Sequence, residues 1–558
     1  MALLLKLASS LLLLSAAAPA AAYDPEAPPT IGAVASESAV CSKVGTQLLK
    51  IGGSAADAMV GTVLCVGIVA LHHSGIGGGG FMTIRQANGT YETVDFRETA
   101  PAAAHEDMFE NNTQASLVGG LASGVPGELR GLEYIHNKYG KLPWVQVLQP
   151  VIKLARAGFI VTDELAKFMD AQTTPFLTED PAWAIDFAPQ GKRVQKDDIM
   201  TRKRYANTLE DIANYGVGVF YTGAMAKATI AAVQARNGIM TMADLANYTI
   251  KTGEAVHVQY HGHKLSSCNT PSSGVVALSA LNILNGYGPL DNMGPLSTHR
   301  LDEAFKFAYG QRVKLGDGDF VAGMENYTAN MLSSQTASSI RLRISNSTTH
   351  GTDWYDPEGL EVLDTPGTSF IATADTSGLA ISLATTVNLI FGSHVMVPET
   401  GIVMNNQMND FGIPGTSDAF GYEASPANFI RPGKRPLSSI SPVIAETPDG
   451  HLSFSVGAAG GSRIITATVQ AIVHLIDQKM SLPDALKQPR LHDQLIPSGV
   501  TFEYSFDNRT VDYMRRLHHN VSWVAPGQSS VQGVRQLPNG TFEAAGEPRQ
   551  VSSGGFAI

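Results

Sequence analysis

The chain has few cysteines and few charged residues, and these scarcities exclude several classes of protein. Only three cysteines occur in 558 residues, which is too few for a disulfide-based scaffold. Charged residues make up 16% of the chain, the net charge is −11, and no basic run is present. This balance argues against a nucleic-acid partner. The 44% hydrophobic content is typical of a globular protein with ample length for a large core.

Long hydrophobic runs are also scarce. Residues 1–22 contain one early charge, Lys6, then an apolar run and small residues before Tyr23, which is the layout of a cleaved signal peptide. The alternative is an uncleaved anchor, although the run is shorter than the roughly 20 residues that span a bilayer. The next apolar stretch, 58–71, predicts a buried helix. We expect export to the outside of the cell, or alternatively to a vacuolar lumen or the cell surface.

Eight Asn-x-Ser/Thr sequons favour the same compartment. So many sequons in an exported chain predict a glycoprotein. The asparagines are Asn88, Asn111, Asn247, Asn326, Asn346, Asn508, Asn520 and Asn539.

Two of the three cysteines lie on neighbouring predicted helices. Cys41 falls on a helical apolar stripe, the glycines at 52–53 break that helix, and Ser54 can cap a second helix that contains Cys65. Helices joined by so short a turn pack side by side, so Cys41 and Cys65 could form a disulfide. The alternative is two buried thiols. Cys268 would stay unpaired.

Several familiar catalytic patterns are missing. No Gly-x-Ser-x-Gly elbow is present, which removes support for an α/β-hydrolase triad. The glycine run at 75–80 lacks the Lys-Ser/Thr of a phosphate loop and follows a predicted helix. The histidine pairs at 72–73 and 261–263 have no carboxylate or cysteine at ligand spacing, so we predict no metal site there.

The chain changes character near residue 367. Residues 326–367 are polar and rich in turn signals, which predicts an exposed loop. Two β-rich segments follow, joined by the turn at 375–378, and together they predict a hairpin. Its spacing puts Thr368 opposite residue 385, within one residue. Thr386 and Asn388 share a face because strand side chains alternate, so the three residues are expected near one another.

A series of short motifs, in order from about residue 30 to the C-terminus, resembles the γ-glutamyltransferase family of N-terminal-nucleophile (Ntn) hydrolases. The ordered set is specific, although no single motif is. The motifs are GGSAADA at 52–58, GIGGGGF at 75–81, FRETAP at 96–101, GVPGE at 124–128, GTS at 367–369, TVN at 386–388 with FGS at 391–393, NNQMNDF at 405–411, RPLSS at 435–439, GAAGGS at 457–462 and PRLH at 489–492.

The resemblance implies a fold and a maturation step. The fold would be a four-layer αββα Ntn-hydrolase sandwich. A precursor would cut itself between Gly367 and Thr368, giving an intertwined large subunit (23–367) and small catalytic subunit (368–558). No metal or organic cofactor is implied. The segment 416–434 resembles a lid loop, in which Phe420 or Tyr422 could gate the pocket.

The resemblance also implies catalytic roles. Thr368 would be the nucleophile, and its freed α-amine, with an ordinary pKa of about 7.7–8.0, would act as the general base. Thr386 would orient the nucleophile. Gly460 and Gly461 would donate backbone N–H groups to the oxyanion. Without the resemblance, these residues would be interpreted as ordinary strand and turn residues.

The implied substrate carries a free α-amino acid end, so its pocket must bind both charges. The residues implied for the α-carboxylate are Arg97, Ser438 and Ser439, and those for the α-ammonium are Asp410, Gln407 and Asn388. The reaction would move γ-glutamyl from glutathione or γ-glutamyl amides to water, or to an amino acid or peptide. Two rivals remain: a related Ntn acylase on another amide, such as a glutaryl side chain, and a non-catalytic exported glycoprotein.

Overall fold

A computed structural model describes residues 30–360, 367–416 and 423–558. The predicted signal peptide (1–22) therefore lies outside the described residues, and so do residues 361–366 and the predicted gating residues Phe420 and Tyr422. Within the described ranges, no helix is both long and apolar enough to cross a membrane.

Eighteen strands occur within the described ranges, most of them in two large sheets. They are β1 (Gly32–Ser36), β2 (Gly79–Arg85), β3 (Tyr91–Asp95), β4 (Phe159–Ile160), β5 (Ile199–Met200), β6 (Lys251–Gly253), β7 (Val256–Tyr260), β8 (His263–Ser267), β9 (Ser369–Asp375), β10 (Ala380–Thr386), β11 (Val443–Glu446), β12 (Leu452–Ala459), β13 (Leu491–His492), β14 (Val500–Glu503), β15 (Val521–Val524), β16 (Ser530–Gln536), β17 (Phe542–Ala545) and β18 (Gly554–Ala557).

Eighteen α-helices accompany the strands in the same ranges. They are α1 (Ala39–Lys50), α2 (Ala55–Val69), α3 (Glu128–Tyr139), α4 (Trp144–Ala157), α5 (Asp163–Asp170), α6 (Phe176–Glu179), α7 (Pro181–Phe187), α8 (Lys203–Tyr215), α9 (Gly218–Tyr221), α10 (Gly223–Gln234), α11 (Met242–Asn247), α12 (Gly274–Leu284), α13 (Pro295–Arg312), α14 (Met324–Met331), α15 (Ser334–Arg343), α16 (Arg463–Ile476), α17 (Leu482–Lys487) and α18 (Asn508–Arg516).

The two large sheets stack face to face between helical layers. The first sheet has the strand order β18-β1-β9-β10-β2-β3-β6, and the second has the order β17-β16-β12-β11-β8-β7. Strands β9 and β10 pack against β12, helices α1 and α2 cover the outer face of the first sheet, and α12 and α16 cover the second. This arrangement confirms the predicted αββα sandwich.

Each layer boundary has its own hydrophobic core. The core between the sheets contains small residues such as Ala372 and Ala374 together with Phe81 and Phe370, so the two sheets approach closely.

Helix α2 is buried on every side, which explains why its sequence is apolar all round and not amphipathic. The predicted buried helix at 58–71 is thereby confirmed.

The predicted helix pair at the N-terminal end is also confirmed. Helix α1 ends before the glycines at 52–53, and Ser54 caps α2, with Asp57 completing a capping box. Cys41 and Cys65 form a disulfide with a Cα–Cα distance of 5.3 Å. Cys268 is a buried free thiol.

One prediction from composition is wrong over the first part of its range. The polar segment 326–367 was expected to be an exposed loop, but α14 and α15 lie across residues 324–343. Its polarity reflects helices with narrow buried faces, on which Met331 and Ile340 are among the few residues in contact with the core. A segment that buries so few side chains has loop-like composition.

Both large sheets combine strands from before and after residue 367. In the first sheet, β1 lies between β18 and β9, and β10 pairs with β2. In the second, β11 pairs with β8. The two predicted subunits therefore share each sheet, hydrogen-bonded strand to strand.

A buried ionic cluster on α13 anchors the chain upstream of the predicted cut. Lys306 Nζ lies 3.3 Å from Asp302 Oδ2 and 3.7 Å from Glu303 Oε1, and it donates to Thr349 Oγ1 at 2.8 Å. Glu303 in turn accepts hydrogen bonds from the hydroxyls of Thr349 and Tyr355. The cluster thus joins α13 to residues 349–355.

We expect Lys306→Met to lower the free energy of unfolding by about 3–5 kcal/mol, because it removes the cation shared by the buried carboxyl groups of Asp302, Glu303 and Asp493. Denaturant unfolding should be measured in the uncut Thr368→Ala background, so that the chain stays in one piece. The control is Lys487→Met, since Lys487 makes an exposed pair with Asp484 at 3.5 Å; that change should cost less than about 1 kcal/mol. Equal losses in the two variants would contradict the anchoring role.

Candidate active site

The predicted hairpin brings Thr368 beside Thr386. Strands β9 and β10 are antiparallel, and Ser369 pairs with Thr385. Continuing that register by one step puts Thr368 opposite Thr386, within the range predicted from the turn spacing. The side chain of Thr368 is 8% exposed, so it lies at the edge of the core and remains reachable.

Two threonine hydroxyls converge on the carbonyl of Gly367. Thr368 Oγ1 donates to that oxygen at 2.7 Å, and Thr386 Oγ1 donates to it at 2.6 Å. Thr386 Oγ1 also accepts from the N–H of Asn388 at 2.7 Å, which directs its proton toward Gly367. Thr386 thus contacts the carbonyl of Gly367, whereas the resemblance implied contact with the Thr368 side chain or amine.

Glycine is required at position 367 for two reasons. Its φ is 123°, a conformation that residues with a side chain rarely adopt. A Cβ there would also lie 2.0 Å from the carbonyl oxygen of Asn388. The absence of a side chain lets this peptide lie against the loop after β10.

A small pocket opens at Thr368, and its wall contains ten of the eleven residues proposed for the site. Gly460 is the exception, because it lines an adjoining cavity of about 750 Å³ that also reaches Gly367 and Thr368. Ile464 is the one lining residue that sequence reasoning missed. The lining residues of the small pocket are Arg97, Gly367, Thr368, Thr386, Asn388, Gln407, Asp410, Ser438, Ser439, Gly461 and Ile464.

Gly460 and Gly461 form the turn between β12 and α16. Their φ values of 127° and 61° are both in the region that favours glycine. Within the described parts of the chain, neither N–H donates to another backbone group. Two N–H groups beside Thr368 without a backbone acceptor have the character expected of oxyanion donors.

The charged residues of the pocket are Arg97 and Asp410, and they pair with each other. Arg97 Nη2 donates to Asp410 Oδ2, which also accepts from Gln407 Nε2 at 2.5 Å. The two charged side chains are 1% and 3% exposed. Burial raises the pKa of Asp410, and Arg97 and Gln407 offset only part of that rise. Among the described residues, Asp410 Oδ1 and Gln407 Oε1 have no hydrogen-bond partner, so two buried acceptors can still accept a hydrogen bond from a ligand.

Glu98 lies next to this pair without joining it. Its nearest oxygen is 3.9 Å from Arg97 Nη1, and burial raises the pKa of Glu98 to about 8. The carboxyl is therefore mostly protonated at pH 7. Asp410, which accepts from Arg97 Nη2, is then the acid paired with Arg97.

Asn428 and Lys434 support both halves of the pocket and were not predicted. Asn428 Nδ2 donates to the carbonyl of Asp410 at 2.6 Å, and its Oδ1 accepts from the N–H of Leu437 at 2.9 Å. Lys434 Nζ donates to the carbonyls on either side of Asn428, at positions 427 and 429. Nothing in the sequence distinguishes these two residues from other loop polar residues.

A hydrogen-bonded triad lies behind the nucleophile. His73 Nε2 lies 3.1 Å from Glu37 Oε2, His73 Nδ1 lies 3.0 Å from Ser369 Oγ, and Ser369 also donates to Glu37. Burial alone would lower the pKa of His73, but Glu37 raises it above its ordinary value. His73 and Glu37 thus form a buried hydrogen-bonded pair. The sequence showed no carboxylate at ligand spacing because Glu37 comes from a distant position.

One group of side chains has the composition of a metal site, and it lies away from the pocket. The ligand atoms of His299, Glu303 and His519 lie within 4.8 Å of one another. The outer nitrogens face acceptors, with His299 Nε2 2.6 Å from Ser345 O and His519 Nδ1 2.8 Å from Asp302 Oδ2. The inner nitrogens are 2.7 Å apart, which fits a proton held between them. The two histidines thus form a hydrogen-bonded pair whose ring nitrogens already have partners.

Comparisons with known proteins identify the family of this chain. The family model described as Gamma-glutamyltranspeptidase matches residues 41–556. "Glutathione hydrolase proenzyme" of Arthroderma benhamiae is 54% identical over 543 residues, which cover 95% of this chain and 93% of that protein. "Glutathione hydrolase" of Aspergillus flavus is 48% identical over 540 residues, covering 96% and 90%.

Solved structures give the same result. Cephalosporin acylase from Bacillus halodurans aligns with a TM-score of 0.81 at 24% identity, covers 98% of this chain and 99% of its own, and indicates the fold alone. Gamma-glutamyltranspeptidase of Helicobacter pylori is 31% identical, with a TM-score of 0.53, over 56% of this chain and 92% of that one. Because the family model and the fungal relatives extend along nearly the whole sequence, this chain belongs to the gamma-glutamyltranspeptidase family.

Proposed function

We propose that this chain is a precursor that cuts itself before Thr368 and then acts as a γ-glutamyltransferase and glutathione hydrolase. One observation carries the proposal: the pocket beside Thr368 offers a buried cation, a buried anion and free acceptors in one small volume. Arg97 and Asp410 both line the pocket, and Asp410 Oδ1 and Gln407 Oε1 have no hydrogen-bond partner among the described residues. A zwitterionic amino acid end supplies a carboxylate for Arg97 and an ammonium for these two acceptors.

The cut follows from the two hydroxyls on Gly367. Thr368 Oγ attacks the carbonyl carbon of Gly367, and the C–N bond breaks as that nitrogen takes up a proton. Thr386 Oγ1, 2.6 Å from the carbonyl oxygen, stabilises the negative charge that develops there. Water then hydrolyses the resulting ester, which frees the Gly367 carboxylate and restores the Thr368 hydroxyl beside a new α-amine.

Turnover reuses the same hydroxyl. The α-amine of Thr368 takes the hydroxyl proton, and the oxygen attacks the γ-carbonyl of the donor. The N–H groups of Gly460 and Gly461 receive the oxyanion. The leaving amine takes the proton and departs, and water or an acceptor amine resolves the acyl ester. No step needs a metal or an organic cofactor.

The cavities suggest how donor and acceptor are divided. The small pocket has the charged and polar lining that a γ-glutamyl group needs, and the adjoining cavity of about 750 Å³ meets it at Thr368. The rest of glutathione, and later an amino acid or peptide acceptor, would occupy that larger space. The names of the fungal relatives support glutathione as the donor.

We further propose that the two fragments stay together as a heterodimer and that the protein is exported. All eight sequon asparagines are exposed, as glycosylation requires. The predicted signal peptide and the disulfide Cys41–Cys65 favour an oxidising compartment. Secretion is the proposal, and a vacuolar lumen or the cell surface are the alternatives.

Thr368→Ala should leave a single uncut chain without γ-glutamyl transfer, because both steps use the same hydroxyl. Denaturing gels and intact mass measurement of the purified protein test this. The control is Thr376→Ala in the exposed hairpin turn, which should be cut and active like the wild type. Active wild-type protein with an intact backbone at residue 367 would refute self-cleavage.

Thr386→Val should slow the cut by about 10²–10³-fold, because it removes one donor to the reacting carbonyl and keeps the side chain's shape. The measurement is the time course of fragment appearance after refolding or cell-free synthesis. A cut as fast as that of the wild type would mean that the 2.6 Å contact has no part in the step.

Wild-type enzyme should prefer a γ-glutamyl anilide over a glutaryl anilide by about 10³-fold or more in kcat/KM, because only the first supplies an ammonium to the buried acceptors. Asp410→Asn should remove most of that preference. Equal rates on the two anilides would instead favour the acylase alternative. Exposed Asp512→Asn serves as the matched control.

A further inference from the structure

Arg312 lies beneath the serine pair of the pocket and has no role in the function proposed above. It is the last residue of α13 and is 3% exposed. Its Nη2 donates to Ser439 Oγ at 3.1 Å, and its Nε donates to Ser273 Oγ at 3.2 Å. Ser273 Oγ in turn donates a hydrogen bond to the backbone carbonyl of Ser438 at 2.5 Å. One guanidinium therefore contacts Ser439 directly and the backbone of Ser438 through one hydroxyl.

This arrangement fixes the direction in which the two pocket hydroxyls donate. A guanidinium has donors and no acceptor, so Ser439 Oγ must accept from Arg312 and keep its own proton for another partner. Ser438 Oγ likewise accepts, from the N–H of Ile440 at 3.1 Å. Among the described residues, no acceptor for either hydroxyl proton is seen. Both protons are thus available to a ligand in the pocket.

The available protons select for the charge of the ligand. A carboxylate accepts hydrogen bonds only, so it matches two hydroxyl donors next to Arg97, whereas an amide or a methylene group does not. Arg312 also adds a second buried cation to this side of the pocket. Its field favours the ionised form of Asp410, against the effect of burial.

We propose that Arg312 is a positioning residue that fixes Ser439 as a hydrogen-bond donor, holds the backbone of Ser438 in place beside it, and thereby makes the enzyme specific for donors with a free α-carboxylate. This inference rests on the proposed γ-glutamyl transfer and adds to it the residue that sets this part of the specificity. Arg312 does not contact the substrate. It acts through the two serines.

The test compares two donors that differ only in the α-carboxylate: γ-glutamyl p-nitroanilide and 4-aminobutanoyl p-nitroanilide. Arg312→Met should lower kcat/KM for the first by about 10- to 100-fold, mostly through KM, since hydrogen bonds to a charged group are lost. For the second donor the change should stay within about 3-fold, because no carboxylate meets the serines. The ratio of the two kcat/KM values is the readout.

The matched control is Arg300→Met, on the same helix. Arg300 contacts Asn346 and the ring of Tyr287, away from the pocket, so both donors should keep wild-type rates. An Arg312→Met enzyme that loses activity equally on both donors, or on neither, overturns the proposal while leaving γ-glutamyl transfer intact. A wild-type enzyme that does not turn over the γ-glutamyl anilide would instead refute the proposed function.

A second variant keeps the test decisive should Arg312→Met fail to fold or to cut itself. Ser273→Ala removes one hydroxyl and breaks only the link from Arg312 to Ser438. The ratio of kcat/KM between the two donors should then fall by about 3- to 10-fold. An unchanged ratio in a fully cut Ser273→Ala enzyme would also overturn the proposal.

Discussion

The antiparallel pairing of β9 with β10 is the constraint on which the active site depends. It places Thr368 opposite Thr386, and the loop after β10 then passes so close to Gly367 that only glycine fits there. The same pairing directs two hydroxyls at one carbonyl oxygen. A one-residue shift in register would turn Thr386 to the other face of the sheet and remove this convergence. The geometry of the reacting bond is thus a product of strand register.

The charged groups of the pocket are paired with each other. Arg97 and Asp410 are paired in a site where an isolated charge would be costly. Glu98 adds little negative charge at pH 7, because burial raises its pKa to about 8. A zwitterion can exchange partners with this pair, so both protein charges stay compensated throughout. A ligand with a single charge would leave one of them uncompensated. The proposed recognition would therefore depend on the two ends of the substrate arriving together.

Local patterns in the sequence predicted the parts of the structure that depend on local rules. The α1–α2 pair, the disulfide and the β9–β10 hairpin follow from glycine breaks, a capping serine and turn spacing, and each was predicted. Motif resemblance supplied the pocket residues, which share no periodicity. What failed, or was missed, depends on distant partners. Helices α14 and α15 have loop-like sequences because they bury few side chains. The roles of Arg312, Asn428 and Glu37 depend on contacts with residues far away in the chain, which local patterns do not show.

The interleaving of strands has a consequence for the lifetime of the protein. Before the cut, β1 reaches its place between β18 and β9 within a single chain. After a cut at Gly367, the same sheets could be rebuilt only if two separate fragments met and threaded their strands in alternation. The rate of refolding would then depend on the concentrations of both fragments, because no covalent link would hold them at a high local concentration. The mature enzyme would then persist by the slowness of its unfolding, and a molecule that once came apart would be lost.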